Sequence, residues 1–109
     1  MITIGNQARL FLFEQPVSMH KSFEGLSGLV EEAFPGQLLE GYFIFLNRIR
    51  DKMKVLYWDG DGFALWYKRL EKGSFLRQKN TSRSIKRREF FLLLEGITPQ
   101  KMQRRFSLE

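Results

Sequence analysis

From Tyr42 to Phe75 the chain reads YFIFLNRIRDKMKVLYWDGDGFALWYKRLEKGSF, short runs rich in aromatic and β-branched residues broken by two polar turn signals. That pattern predicts a β-meander of three to four strands. The second turn, Asp59-Gly60-Asp61-Gly62, places Gly and Asp where a tight hairpin needs positive φ. Centring it on Gly60 and Asp61 sets Trp58 opposite Phe63 and Leu56 opposite Leu65. On the other face Tyr57 meets Ala64 and Val55 meets Trp66. Large residues on both faces predict that both are partly buried.

Ahead of the meander, residues 8–13 read as a short strand ended by Pro16. Ser18 is the expected N-cap of a helix running to about Phe34. Its apolar face would hold Met19, Phe23, Leu26, Leu29, Val30, Ala33 and Phe34, with Pro35-Gly36 as the stop. Gly25 and Gly28 inside it each cost ~1 kcal/mol against Ala, tolerable where that turn packs closely on the sheet. After the meander, residues 77–88 (RQKNTSRSIKRR) contain no acid and predict a mobile basic loop leading to a helix start at Ser82 or Ser84. A second amphipathic helix is expected over 86–95, with Phe90, Phe91, Leu93 and Leu94 inward and Gly96 as its stop. Thr98-Pro99 opens a last short helix or tail over 98–109.

The expected fold is α+β, one domain spanning 1–109. It comprises an antiparallel β-meander of three to four strands plus an N-terminal strand, with two main helices packed on one face. The α-β-β-β-α portion has the element order of a double-stranded-RNA-binding domain, an analogy that carries no function.

A length of 109 residues allows one core, and 11 Phe, 2 Trp and 3 Tyr argue against disorder. The absence of cysteine excludes a disulfide framework, a thiol nucleophile and a zinc-thiolate site. No apolar run approaches the ~20 residues of a membrane span. The N-terminal residues lack the basic start and long apolar core of a signal peptide, so a soluble cytoplasmic protein is expected. The net charge of +6 is uneven. Residues 1–66 carry 6 Lys/Arg against 8 Asp/Glu, whereas residues 67–109 carry 12 against 4. That asymmetry points to a polyanion or an acidic protein surface as partner.

Catalytic chemistry finds little support. His20 is the sole histidine, and it lies near the expected start of the first helix with no nucleophile beside it. Asp51, Asp59, Asp61 and Glu71 are the clustered carboxylates, and Asp59 and Asp61 are explained by turn geometry. An EF-hand fails, because its twelfth ligand would fall on Leu70 or Lys68. Gly60-Asp61-Gly62 is no phosphate loop, since no Gly-Lys-Ser/Thr follows. No catalytic residue, metal or cofactor is expected.

Nucleic-acid binding is better supported. Arg77, Lys79, Arg83, Lys86, Arg87 and Arg88 form a basic tract beside a sheet bearing Tyr57, Trp66 and Tyr67. They offer phosphate contacts and stacking surfaces, against the plainer readings of a solvated loop and core aromatics. Arg48, Arg50, Lys52 and Lys54 form a second basic group near the first turn.

Four blocks carry a family resemblance. They are Phe45-Leu46-Asn47-Arg48, Asp51 to Gly60 (DKMKVLYWDG), Gly62-Phe63-Ala64-Leu65 and Lys68 to Phe75 (KRLEKGSF). Together they resemble the TnpB accessory proteins of insertion sequence family sixty-six, which are distinct from the RNA-guided nucleases sharing the name TnpB. Ser18 to Leu26 (SMHKSFEGL) and Leu93-Leu94-Glu95-Gly96-Ile97 resemble further blocks of that family. Ser18 and His20 stand where the family has Asp and Arg, Ile49 interrupts its arginine run, and Leu76-Arg77 replaces Trp-Pro. The resemblance implies a small non-catalytic protein encoded in a mobile element and needed for its transposition, working beside a separate transposase. DNA, that transposase, or both are the expected partners, with Arg48, Arg50, Lys68 and Arg69 as motif-borne contacts and Lys52 beside them as a further nucleic-acid contact. The alternative is a protein-interaction adaptor in the transposase complex with no direct DNA contact.

Overall fold

In the computed structural model, which describes residues 4–5, 7–75 and 84–94, the element order is β1 (Arg9–Leu12), α1 (Phe23–Ala33), β2 (Gly41–Leu46), β3 (Lys52–Trp58), β4 (Phe63–Arg69) and α2 (Arg87–Leu94). The strands form one sheet in the order β1-β2-β3-β4. The β3–β4 register is the one the Gly60-Asp61 turn dictates. Trp58 faces Phe63, Leu56 faces Leu65, Tyr57 faces Ala64 and Val55 faces Trp66. Gly60 takes φ 84 and the Asp59 N–H donates to the Gly62 carbonyl at 2.7 Å. Positive φ at the first central residue is what the tight hairpin turns favoured by strand twist require, and glycine adopts it without strain.

The sheet is mixed and not a purely antiparallel meander. β2, β3 and β4 are antiparallel, but β1 lies parallel to β2 with Arg9 beside Gly41 and Leu12 beside Ile44. A parallel pair needs a crossover of a dozen or more residues, and the segment containing α1 supplies it. Gly41 is required there: a Cβ would sit 2.7 Å from the Phe11 ring and 2.9 Å from the Arg9 carbonyl.

The two helices pack on opposite faces, not on one. Leu26 and Val30 of α1 share a cluster with Phe11, Phe43, Phe45 and Leu56. Phe90 and Leu93 of α2 join Leu10, Leu12, Ile44, Leu46, Met53 and Val55. Neighbouring strand residues point to opposite faces, so the run Phe43-Ile44-Phe45-Leu46 is buried alternately under α1 and α2. The α1 side is phenylalanine-rich. Phe11 stacks on Phe43 with centroids 5.1 Å apart, and Phe34 and Phe13 extend the cluster to Phe45.

α1 begins later than the expected Ser18. Ser22 is its N-cap, and Ser18 Oγ instead accepts the His20 N–H at 3.2 Å in a local turn. The carbonyls of Met19 and Lys21, which a longer helix would use internally, each accept a hydrogen bond from Lys54 Nζ at 2.8 Å. Phe23 is consequently exposed. Gly25 and Gly28 are exposed as well and do not pack closely on the sheet. α2 starts where the Glu89 carboxylate accepts the Lys86 N–H at 2.9 Å, half of a capping box. The expected helix or tail over 98–109 and the Gly96 stop lie outside the described residues.

Candidate nucleic-acid interface

Extending the β3–β4 register to its far end places Lys52 opposite Arg69 and Met53 opposite Lys68. The β2–β3 turn sits at that same end of the sheet, so Arg48, Arg50, Lys52, Lys68 and Arg69 share one locality. The turn is held by Asn47. Its Nδ2 donates to Asp51 Oδ1 at 2.7 Å, and its Oδ1 accepts the Lys52 N–H at 2.9 Å. The Asn47 hydrogen bond is the main cause that holds the Asp51 carboxyl below its ordinary value of 3.8; desolvation opposes it and Lys52 adds to it.

The five cations divide by environment. Arg48 is exposed at the turn, next to Ile49, which is 68% exposed. Arg50 is half-buried and takes φ 61; its carbonyl accepts the Phe75 N–H at 2.6 Å and its Nε donates to the Phe75 carbonyl at 3.4 Å. Its role is to fasten the chain after β4 onto the turn, helped by the Leu70 N–H donating to the Asp51 carbonyl. Lys52 pairs with Asp51 at 3.5 Å and Arg69 with Glu71 at 3.3 Å, the latter highly exposed on both sides. Exposed pairs of this kind contribute ~0–1 kcal/mol and leave the cations free to exchange partners. Lys68 is half-buried on the α2 face.

Lys54 does not belong with these surface charges. It is 7% exposed, and its ammonium donates to two carbonyls and lies 5.0 Å from the Tyr67 ring centroid. Tyr57 and Trp66, read from sequence as stacking surfaces, pack against the α2-side core. Burial, then Asp59 and Tyr42, raise the Tyr57 hydroxyl above its ordinary value of 10. Tyr67 differs: it projects from the α1 face and is 51% exposed.

Of the 77–88 tract, Arg77, Lys79 and Arg83 lie outside the described residues. Ser84 bridges Phe11 and the Ile85 N–H donates to the Leu10 carbonyl, laying the tract's end along the outer edge of β1. Arg87 donates to the Gly5 carbonyl at 2.8 Å and lies over the Phe91 ring, while Lys86 and Arg88 are exposed. These three are therefore beside the start of β1, at the other end of the sheet from the β2–β3 turn. Among the described residues no group of three or more His, Asp or Glu side chains could hold a metal, and no helix is long and apolar enough to cross a membrane.

Residues 8–104 match the family described as IS66 Orf2-like protein. The chain belongs to that family, a group of insertion-sequence accessory proteins. The matched span takes in the turn, β4 and the whole basic tract. The chain is also similar to an uncharacterized protein, y4jC, of Sinorhizobium fredii (strain NBRC 101917 / NGR234). The two are 31% identical over 108 residues, covering 96% of this chain and 92% of the relative. A second uncharacterized protein of that strain, y4hO, is 31% identical over 77 residues, 70% of this chain and 67% of the relative. No solved structure gives a significant match.

Proposed function

We propose that this chain is a non-catalytic accessory protein required for transposition of its insertion sequence, acting by binding DNA, the transposase or both through a basic surface. The observation that carries this reading is the pairing of Lys52 with Arg69, which joins the Asn47–Asp51 turn to the end of β4. Arg48, Lys52 and Arg69 then form the contact surface, Lys68 flanks it on the opposite face, and Arg50 holds its shape. The acid-free tract, with Arg77, Lys79, Arg83, Lys86, Arg87 and Arg88, adds phosphate contacts that do not depend on base sequence.

A titration of labelled duplex DNA at several salt concentrations tests the DNA arm. Each neutralised phosphate contributes about 0.9 to the slope of log affinity against log salt, so four to six contacts should give a steep fall. An absence of binding even at low salt refutes that arm.

The adaptor reading draws on Ile49. An isoleucine that is 68% exposed beside Arg48 at a turn is the composition of a protein contact more than of a phosphate contact. Co-purification of the element's transposase with this chain in the absence of DNA tests it, and Ile49→Asp should abolish that association.

A further inference from the structure

We infer that the α1 face of the β3–β4 ribbon is a binding strip for single-stranded DNA, with Tyr67 as a base-stacking platform beside the phosphate-binding pair of cations Lys52 and Arg69. The inference rests on the reading that DNA is a partner of this protein and names the form of DNA bound.

The side chains that face α1 along this ribbon follow from the register. Lys52, Lys54, Leu56 and Trp58 come from β3, and Arg69, Tyr67, Leu65 and Phe63 stand opposite them on β4. α1 buries only the inner part of this face: Leu26 and Val30 pack with Phe11, Phe43, Phe45 and Leu56. Phe63 and Leu65 are partly buried against that cluster, and the two ends of the ribbon stay accessible. Trp58 is 38% exposed and meets Phe63 edge to face at 5.1 Å, and Tyr67 is half-exposed four residues further along β4. Lys52, Tyr67 and Arg69 enclose an open concavity of about 270 Å³.

This combination is unusual for a face meant only to be wet. A core-forming face would cover Tyr67 and Trp58, and a solvated face has no need of an exposed aromatic ring beside a pair of cations. Base faces stack on such rings regardless of sequence, while flanking cations follow the backbone. A sheet whose exposed aromatics take two or three bases is an established way to hold a single strand. A duplex, with its bases stacked inside, cannot offer a base face to Tyr67. Lys54 fixes the platform: its ammonium lies 5.0 Å from the Tyr67 centroid and is itself tied to the Met19 and Lys21 carbonyls. Asp51 and Glu71 hold Lys52 and Arg69 through pairs of 3.5 and 3.3 Å at the surface, which a phosphate can displace.

The test is fluorescence anisotropy of the full chain with labelled oligothymidine of about 12 nucleotides, within the site sizes such sheets cover, and with duplex DNA of equal length. Tyr67→Ala should weaken single-strand binding about tenfold or more while leaving duplex binding within about twofold. Tyr67→Phe should retain it. Lys52→Gln with Arg69→Gln should flatten the single-strand salt dependence by about 0.7 for each cation removed. These exposed or conservative changes leave the cores intact. Duplex binding without oligothymidine binding, or oligothymidine binding indifferent to both Tyr67→Ala and the double charge variant, overturns the strip and leaves the broader DNA reading standing. Binding of neither DNA at low salt overturns both.

Discussion

Lys54 Nζ lies 2.8 Å from the Met19 carbonyl oxygen, a hydrogen bond that spans 35 residues and fixes where α1 begins. A second bond to the Lys21 carbonyl, of equal length, closes the loop ahead of Ser22. A charged donor to two carbonyls is the stronger kind of hydrogen bond, and its removal takes the same donor from both partly buried contacts at once. Lys54→Met should therefore lower unfolding stability by about 2–3 kcal/mol despite its apolar gain. Urea denaturation checks this, and an unchanged midpoint would show that water replaces the ammonium without cost.

Because α1 and α2 cover opposite faces, the sheet has two separate cores. Leu26→Ala on one side should cost about 2–5 kcal/mol and Phe90→Ala on the other about 3–5 kcal/mol. With the sheet between them and no shared partners, the two losses should add within about 0.5 kcal/mol. Single and double variants compared by chemical denaturation decide it. Strong coupling between them would mean that the clusters touch.

The division between what could and could not be read in the sequence follows from how each signal is encoded. The β3–β4 register was legible because the Gly60-Asp61 turn fixes pairing and the strand period of two does the rest. The pairing of Lys52 with Arg69, which brings the basic turn beside the end of β4, follows from carrying that register three residues past Val55 and Trp66, a step the sequence reading did not take. The helix faces were misread. Phe43-Ile44-Phe45-Leu46 is a continuous apolar run, the mark of a strand covered on both sides, and a helix on one side alone would leave Ile44 and Leu46 wet. The long connection between β1 and β2 likewise signalled a parallel pair. Lys54 offered no such cue. It alternates with Lys52 as a surface residue would, and only the tertiary path of residues 19–21 gives its ammonium acceptors. Arg50 was illegible for a similar reason, since its partner is the Phe75 backbone 25 positions away.

Arg50 adopts φ 61, a left-handed conformation that costs a non-glycine residue roughly 1–2 kcal/mol. Arg50→Ala keeps that strain and loses the side-chain bond to Phe75, whereas Arg50→Gly loses the bond and relieves the strain. The glycine variant should be the more stable of the two by about 1 kcal/mol. Thermal unfolding of the pair gives the answer, and a less stable glycine variant would count against the assigned backbone.

Asp51 provides the pH-dependent contact of the turn. Its folded pKa is lowered, first by the hydrogen bond from Asn47 and then by Lys52, so the carboxylate is favoured in the folded protein. A depressed folded pKa adds stability that is present above the unfolded value and lost as pH falls through the folded one. That window lies at and below the ordinary 3.8, so the turn is fully held at neutral pH. Asn47→Ala should move the Asp51 titration up toward 3.8, read by carbon-13 NMR of the carboxyl group, and should loosen the Arg48–Ile49 turn. An unmoved titration would assign the shift to Lys52 instead.

The basic turn makes the prediction nearest to function. Arg48 is exposed and its side chain is not needed by either core, so Arg48→Gln should leave stability within about 0.5 kcal/mol of wild type. If the turn meets phosphate, the same change should weaken duplex affinity at low salt and reduce the salt slope by about 0.9. Ile49→Asp separates the two readings of the same surface, because it adds a negative charge at the turn and removes the exposed apolar side chain. Where DNA is the partner, both variants should lose duplex affinity and element transposition together. Where the transposase is the partner, Ile49→Asp should abolish transposase association and transposition with no duplex affinity to lose. Measuring all three quantities on both variants assigns the turn to one partner, and wild-type transposition in both would remove it from the functional surface altogether.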